Sequence, residues 1–448
     1  MPHRRHYQQH IEQLSHHYQV ALDAYCEGFG GVVIHSGSEH FYYDDDQSTP
    51  FRAYAHFTHW LPLNQTNQVL LVIPNCTPVL FRVNPSDYWH ETAKALPDWV
   101  VNSFDIIDLR DCTQIEAELS AVLSRHKLKR DEVAFIGENT QFAKALGLDE
   151  HCHNPSSLLH YLNYQRAYKS HYEVACIRKA NRLALEGHQA ARHAFFNNGS
   201  EYDIHMAYLQ ACKLLEHETP YPNIIALDEK AATLHYQNKR KELTQASKVL
   251  LIDAGYQFNA YCADISRTYA KPEAHPVFLQ LLERMQELQT HLVTMLRPGQ
   301  EYLNIHIEAL KGIADILTDL DICRGSPDEV FDQGVSRTFM PHGVGHMLGL
   351  QVHDVGGRQL DREGRILAPP EYYPALRTTR TIEAQQVFTI EPGCYFIPAL
   401  LQDLRDSKQG KLINWSLIEK LLPLGGIRIE DNVLASEGGA DNLTRLLL

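Results

Sequence analysis

The chain has 448 residues, 44% of them apolar and 21% charged, an ordinary globular composition with enough material for a buried core. Its 41 Lys+Arg against 55 Asp+Glu give a formal charge of -14, which argues against a general nucleic-acid binder and against an anionic membrane surface as partner. Nine cysteines stand singly with no CxxC pair, so free thiols in a reducing compartment are expected rather than a disulfide framework.

The N-terminal stretch MPHRRHYQQHIEQLSHHYQV lacks the apolar core of a secretory signal, and no window approaches the roughly 18 apolar residues of a membrane span. A soluble, cytoplasmic protein is expected. Histidine is abundant, 26 in all, and the early set His3, His6, His10, His16 and His17 reads as solvated helix surface. The runs Gly31–His35, Val69–Ile73 and Val133–Ile136 read as short strands, and Ile115, Leu119, Val122 and Leu123 share one helical face. This alternation predicts an α/β domain with a mixed sheet. The Gly-Glu-Asn after Ile136 continues into neither GxGxxG nor a Walker pattern, so no phosphate loop is present there. The pattern breaks around Asn154-Pro155-Ser156-Ser157, which places a domain boundary near 160–172 and divides the chain into 1–165 and 166–448.

Beyond the boundary, amphipathic helices are predicted from about Glu173, from just after Ser200, and through Phe278 to Leu292, the last stopping at Pro298-Gly299. Strand-like hairpins lie between and after them, which predicts an α+β second domain.

Four segments of that domain carry ionisable groups at telling places. Val249–Gly255 ends an apolar strand on Asp253, and Cys262–Tyr269 brings the chain back with Asp264. A turn centred on Phe258-Asn259 would set the two aspartates opposite each other on one face. Alone, this hairpin fits a turn cap plus a solvated strand residue equally well. In Phe339–Asp354, glycines 343, 345 and 349 disfavour a regular helix and allow turns that gather His342, His346 and His353. Glu391 closes the apolar strand before Pro392-Gly393, and Glu430 lies within the strand-like Gly426–Asn432. Together Asp253, Asp264, His346, Glu391 and Glu430 offer four carboxylates and one imidazole. That set suits two divalent ions, Mn²⁺ first and Co²⁺ or Zn²⁺ as alternatives, and the chemistry it implies is metal-assisted hydrolysis.

This pattern resembles the metallopeptidases of the pita-bread fold, whose ligands run Asp, Asp, His, Glu, Glu in this chain order. The ten residues between the aspartates, HGVGH with VHD downstream, TIEPG and GIRIEDN carry the likeness, with IHSG at 34–37 a weaker sign. Within that group it is most similar to Xaa-Pro dipeptidases, or prolidases, and to the bacterial enzymes among them also known as organophosphorus acid anhydrolases. The resemblance implies a creatinase-like α/β N-terminal domain serving oligomerisation and as an active-site lid, and a pita-bread catalytic domain. It implies Glu391 as general base, His353 as donor to the tetrahedral intermediate, and His342 close by. Arg377 would grip the free carboxylate of a dipeptide, a guanidinium fork being suited to that task. Tyr221 and His235 would line the substrate pocket, Thr268 would support a ligand aspartate, and Asp46 would reach a neighbouring subunit's site.

The activity so implied is hydrolysis of Xaa-Pro dipeptides, with organophosphorus compounds as promiscuous substrates, in a homodimer or dimer of dimers without nucleic-acid or membrane partners. Two alternatives keep the same fold. One is aminopeptidase P-type removal of an N-terminal residue before proline from longer peptides; the other is a non-catalytic pita-bread peptide-binding module, which has no need for five ligands.

Overall fold

In the computed structural model, which describes residues 2–85, 88, 95–243 and 245–445, the apolar runs of the N-terminal part are strands of one sheet. Its strands are β1 (Gly31–His35), β2 (Val69–Val72), β3 (Val79–Val83), β4 (Asp105–Leu109) and β5 (Val133–Ile136), ordered β4-β3-β2-β1-β5. The β1–β5 and β3–β4 pairs are parallel and the others antiparallel, so the sheet is mixed. Strands β3 and β4 are additions to the sequence reading. The exposed aspartates of β4 interrupt its apolar pattern, as befits an edge strand. The helix Ile115–His126 buries the four apolar residues of its predicted face.

The first helix, α1 (Pro2–Tyr25), buries Tyr7, Ile11, Leu14 and Tyr18. His10 departs from the surface position expected of it: it is 1% exposed. Residue 10 lies three after Tyr7 and four before Leu14, so the helix period puts it on the apolar face. His16 is exposed, and the His3 side chain lies outside the described residues.

The chain divides into two units, residues 1–166 with 170–175 and 360–365, and residues 167–169 with 176–359 and 366–448. The second is built on long helices, chiefly Pro276–Met295 and Tyr302–Asp319, which pack in one large core with Phe278, Met285, Ile305, Leu310, Ile313 and Phe388. The helix Glu201–Cys212 starts at a capping box in which the Ser200 hydroxyl and the Asp203 carboxylate exchange backbone bonds. Helix His171–Phe196 enters this unit from Cys176 onward.

Its strands are β6 (Ile224–Leu227), β7 (Val249–Asp253), β8 (Tyr256–Phe258), β9 (Tyr261–Ala263), β10 (Ser266–Ala270), β11 (Val387–Ile390), β12 (Gly393–Tyr395), β13 (Gly426–Arg428), β14 (Asp431–Ser436) and β15 (Gly439–Asn442). They form sheets β10-β7-β6 and β11-β14-β15 and ribbons β8-β9 and β12-β13. All nine cysteines are free, and all but Cys76 and Cys112 are buried. Among the described residues, no helix is long and apolar enough to cross a membrane.

Candidate metal centre

Two interrupted hairpins carry the acids. In the first, β7 pairs with β10 so that Asp253 faces Ser266, and β8 and β9 continue the same register to a turn at Asn259-Ala260. The expected centre at Phe258-Asn259 is thus moved by one residue, and the pairing by two. Both turn residues have positive φ, 49° and 69°, a conformation that asparagine tolerates and bulky Phe258 would resist. A two-residue slide preserves the alternation of faces, so Asp264 lies diagonally across from Asp253 on the same side of the ribbon.

In the second hairpin, β11 pairs with β14 with Ile390 opposite Asp431, and β12 pairs with β13 with Gly393 opposite Arg428. One register runs through both, which sets Glu391 against Glu430 at the interruption. Glu430 therefore occupies a break between β13 and β14, not the interior of a strand as expected.

The glycine-rich segment lies along β11, accepting from Glu391 N at Val344 O (2.8 Å) and from Thr389 N at His346 O (2.9 Å). A Cβ on Gly345 would stand 2.2 Å from the Thr389 carbonyl oxygen and 2.4 Å from the Tyr302 hydroxyl. Glycine alone permits that approach.

These elements bring the five predicted donors into one unit, four of them at short mutual distances. His346 Nε2 is 3.4 Å from Asp264 Oδ2 and 3.6 Å from Glu391 Oε1. Ligand atoms of Asp264, His346 and Glu430 all lie within 4.8 Å of one another, and all three residues are buried. His346 Nδ1 donates to Met347 O at 2.9 Å, which fixes the tautomer that turns Nε2 toward the carboxylates.

Arg428 is the residue that the sequence reading passed over. Its Nη2 donates to Asp253 Oδ2 at 2.7 Å, its Nε to Ser266 Oγ at 2.9 Å and its Nη1 to the Tyr395 hydroxyl at 3.0 Å. Ser266 Oγ in turn donates to Glu430 Oε2 at 2.9 Å. Two positions before Glu430, Arg428 belongs to the same strand-like motif, and that spacing was its signal. Thr268, expected to support a ligand aspartate, instead bonds the Arg428 backbone on both sides, at 3.0 and 3.1 Å. The reason is register: Thr268 faces Leu251, and Ser266 is the residue opposite Asp253.

Burial sets the electrostatics. It pushes Glu391 up to about 7, Glu430 well above the carboxylate range and Asp253 upward despite the nearby Arg428. Burial acts the same way on Asp264, but the His346 hydrogen bond and charge leave it below its ordinary value. His346 is held above its ordinary value by Asp264 and Glu391, against the downward pull of burial.

Around the acids, His353 stands with its ring centroid 4.4 Å from that of His346, and burial brings it down to about 4. His342 is brought to about 3 by burial and by the Arg428 charge. Its Nδ1 donates to Gly343 O, and its Nε2 accepts from the Tyr395 hydroxyl at 3.0 Å. The Tyr221 hydroxyl donates to Asp253 Oδ1 at 2.8 Å. Arg377 and His235 are exposed, and the charges of both are felt at His353. Asp46 lies in an exposed loop of the first unit.

Four carboxylates around one imidazole, Asp264 and Glu430 buried and Asp253 and Glu391 half-buried, form a donor set short of positive charge: three have raised proton affinity, and one of these, Asp253, leans on an arginine. Divalent cations with a preference for oxygen fit it.

Comparison with known proteins gives the chain a lineage. Residues 175–437 match the model of metallopeptidase family M24, and residues 5–164 match the N-terminal domain of Xaa-Pro dipeptidases. The chain belongs to family M24. It is 42% identical to the Xaa-Pro dipeptidase of Shewanella woodyi over 98% of both chains, and 43% identical to that of Pseudoalteromonas haloplanktis over 99% of this chain and 98% of the other.

Solved structures share the two-part, pita-bread fold. Aminopeptidase P from E. coli with the inhibitor Pro-Leu superposes with a TM-score of 0.73 at 22% identity, covering 98% of this chain and 95% of that one. Proline aminopeptidase P II from Yersinia pestis gives 0.70 at 23% identity, covering 98% and 97%.

Proposed function

We propose that this chain is a metal-dependent Xaa-Pro dipeptidase whose centre is Asp253, Asp264, His346, Glu391 and Glu430. The observation that carries the reading is the convergence of Asp264, His346, Glu391 and Glu430 from two interrupted hairpins and a glycine-rich segment, with Asp253 joined to them through Arg428 and Ser266. Full-length identity to proteins named Xaa-Pro dipeptidase supports the substrate class. When bound, two divalent cations supply Lewis acidity to the scissile carbonyl and lower the pKa of water; the oxygen-rich set favours Mn²⁺, then Co²⁺ or Zn²⁺.

The chain's own groups do the rest. Glu391, set beside His346 and His342, takes the proton of the attacking water and returns it to the leaving proline nitrogen. His353 is neutral above about pH 4 and so presents an N–H donor to the developing oxyanion without carrying charge there. His342, fixed through Tyr395 and Arg428, flanks Glu391, with Nδ1 3.9 Å from Glu391 Oε2. Arg377 pairs with the free carboxylate of the dipeptide, and Tyr221 and His235 line the pocket. We assign Asp46 to the neighbouring subunit's site in a homodimer or dimer of dimers, and the first domain to subunit contact and lid. Thr268 serves the centre indirectly, by holding β13 and with it Arg428.

The decisive assay is a peptide panel after chelation and re-addition of Mn²⁺, Co²⁺ or Zn²⁺. Gly-Pro and Leu-Pro are expected to be cleaved and the corresponding tripeptides left largely intact. Comparable turnover of tripeptides would make the activity aminopeptidase P-like. The same centre would hydrolyse phosphotriesters, because tetrahedral phosphorus resembles the intermediate of peptide hydrolysis; absence of metal-dependent fluorophosphonate hydrolysis by active enzyme rules that out.

A further inference from the structure

The first unit holds a second group of potential donors, remote in sequence from those above. His10 on α1, His59 at the end of α2 (Ala55–Trp60) and Glu173 in the first turn of helix His171–Phe196 are all buried, and one ligand atom of each lies within 4.8 Å of the other two. His59 Nε2 is 3.4 Å from Glu173 Oε1, and His10 Nδ1 is 3.9 Å from Glu173 Oε2. Tetrahedral ligands about 2.0–2.1 Å from a zinc ion stand about 3.4 Å from one another, so modest contraction makes a coordination edge of each pair.

The hydrogen bonding prepares the same arrangement. His10 Nε2 lies 2.8 Å from the His59 carbonyl oxygen, which can only accept, so the proton sits on Nε2 and Nδ1 keeps its lone pair. That lone pair points at the Ser170 hydroxyl, 2.9 Å away. Glu173 Oε2 is anchored by the Ser170 backbone N–H at 2.8 Å. Metal-binding imidazoles commonly donate their other N–H to a backbone carbonyl, and ligating carboxylates are themselves hydrogen-bonded. Burial brings the His10 imidazole down to about 4, so it is unprotonated at neutral pH.

We propose that His10, His59 and Glu173 bind one divalent cation of the zinc class, with the Ser170 hydroxyl or a water as fourth ligand. Two imidazoles and one carboxylate differ in kind from the oxygen-rich set of the second unit, so the two sites would separate metals by softness. The ion would tie α1, α2 and the start of helix His171–Phe196 within the first unit, a stabilising task distinct from hydrolysis.

The test uses the full chain with its carboxylate centre disabled by Asp264→Asn and Glu430→Gln, dialysed against Co²⁺ and then Zn²⁺. One Co²⁺ per chain with the intense visible absorption of a four-coordinate site is expected, lost when His59→Gln is added, and Zn²⁺ should raise the melting temperature only where His59 is present. No retained ion, or retention unaffected by His59→Gln, overturns the proposal. Anomalous diffraction at the zinc edge on crystals of the unaltered protein needs no variant to fold. A peak between residues 10, 59 and 173 supports the site, and its absence in zinc-soaked crystals rejects it.

Discussion

Arg428 acts as a resident counter-ion to the acids, and its removal should be felt most when no metal is bound. Breaking a buried ion pair on one side costs about 3–5 kcal/mol because the remaining charge is stranded. Arg428→Gln is therefore expected to lower the melting temperature of the chelated protein more than that of the metal-reloaded protein, as thermal scans with and without chelator would show. Asp264→Asn keeps the size of the side chain and removes its charge. Loss of partners outside the ligand shell costs 10–100-fold, so loss of a ligand should lower kcat by about a hundredfold or more, and full activity would contradict the assignment.

His188 gives the pH dependence. It is buried with Nε2 2.9 Å from the Ala254 carbonyl oxygen, and burial takes it down to about 3 from an ordinary 6.5. Between those values the unfolded chain binds a proton that the folded chain does not, so the contribution of His188 to stability is full above pH 6.5 and is lost as pH falls toward 3. The total is on the order of 5 kcal/mol, and His188→Gln should flatten that part of a pH–stability curve. At this scale the site's donors were legible, because an acid ending an apolar run stands out in a string of letters. For Arg428 the only signal was its spacing of two from Glu430, and Ser266 had none, because a polar residue inside an apolar strand looks like a solvated one until its partners are placed around it.

At the level of elements, the β8–β9 turn shows where sequence reasoning slipped and why little was lost. Phe258-Asn259 and Asn259-Ala260 are both plausible centres by composition, and only the backbone distinguishes them. Because side chains alternate with period two, the resulting slide kept both aspartates on one face. Ala260, with φ 69°, holds a left-handed conformation that is strained for a residue with a Cβ. Ala260→Gly is expected to stabilise the folded protein by about 1 kcal/mol in denaturant titrations while leaving kcat unchanged, since the register is already set by β7 and β10. Helix starts at capping residues were well marked, as Ser200 shows. Edge strand β4 was not, since two of its five residues, Asp105 and Asp108, are exposed acids.

For the whole molecule, the predicted single boundary near residue 165 meets a chain that returns to the first unit at 170–175 and again at 360–365. Linear composition marks where a pattern changes, but a short return carries too few residues to leave a pattern of its own. The consequence is testable: a fragment ending at residue 166 lacks Ser170 and Glu173, the partners of His10 and His59, and should melt less cooperatively than one ending at 175.

The unpaired cysteines offer a way to watch such events. Burial raises Cys323 to about 12 and Cys212 to about 11 and raises Cys26 and Cys152 as well, so these thiols are protonated and sheltered in the native state. A thiol-specific dye would ignore them until their surroundings open, whereas the half-buried Cys76 and Cys112 would be labelled early. Mass mapping of the order of labelling, Cys26 and Cys152 for one unit and Cys212, Cys323 and Cys394 for the other, would therefore resolve which half lets go first as metal is withdrawn, with no label engineered into the chain.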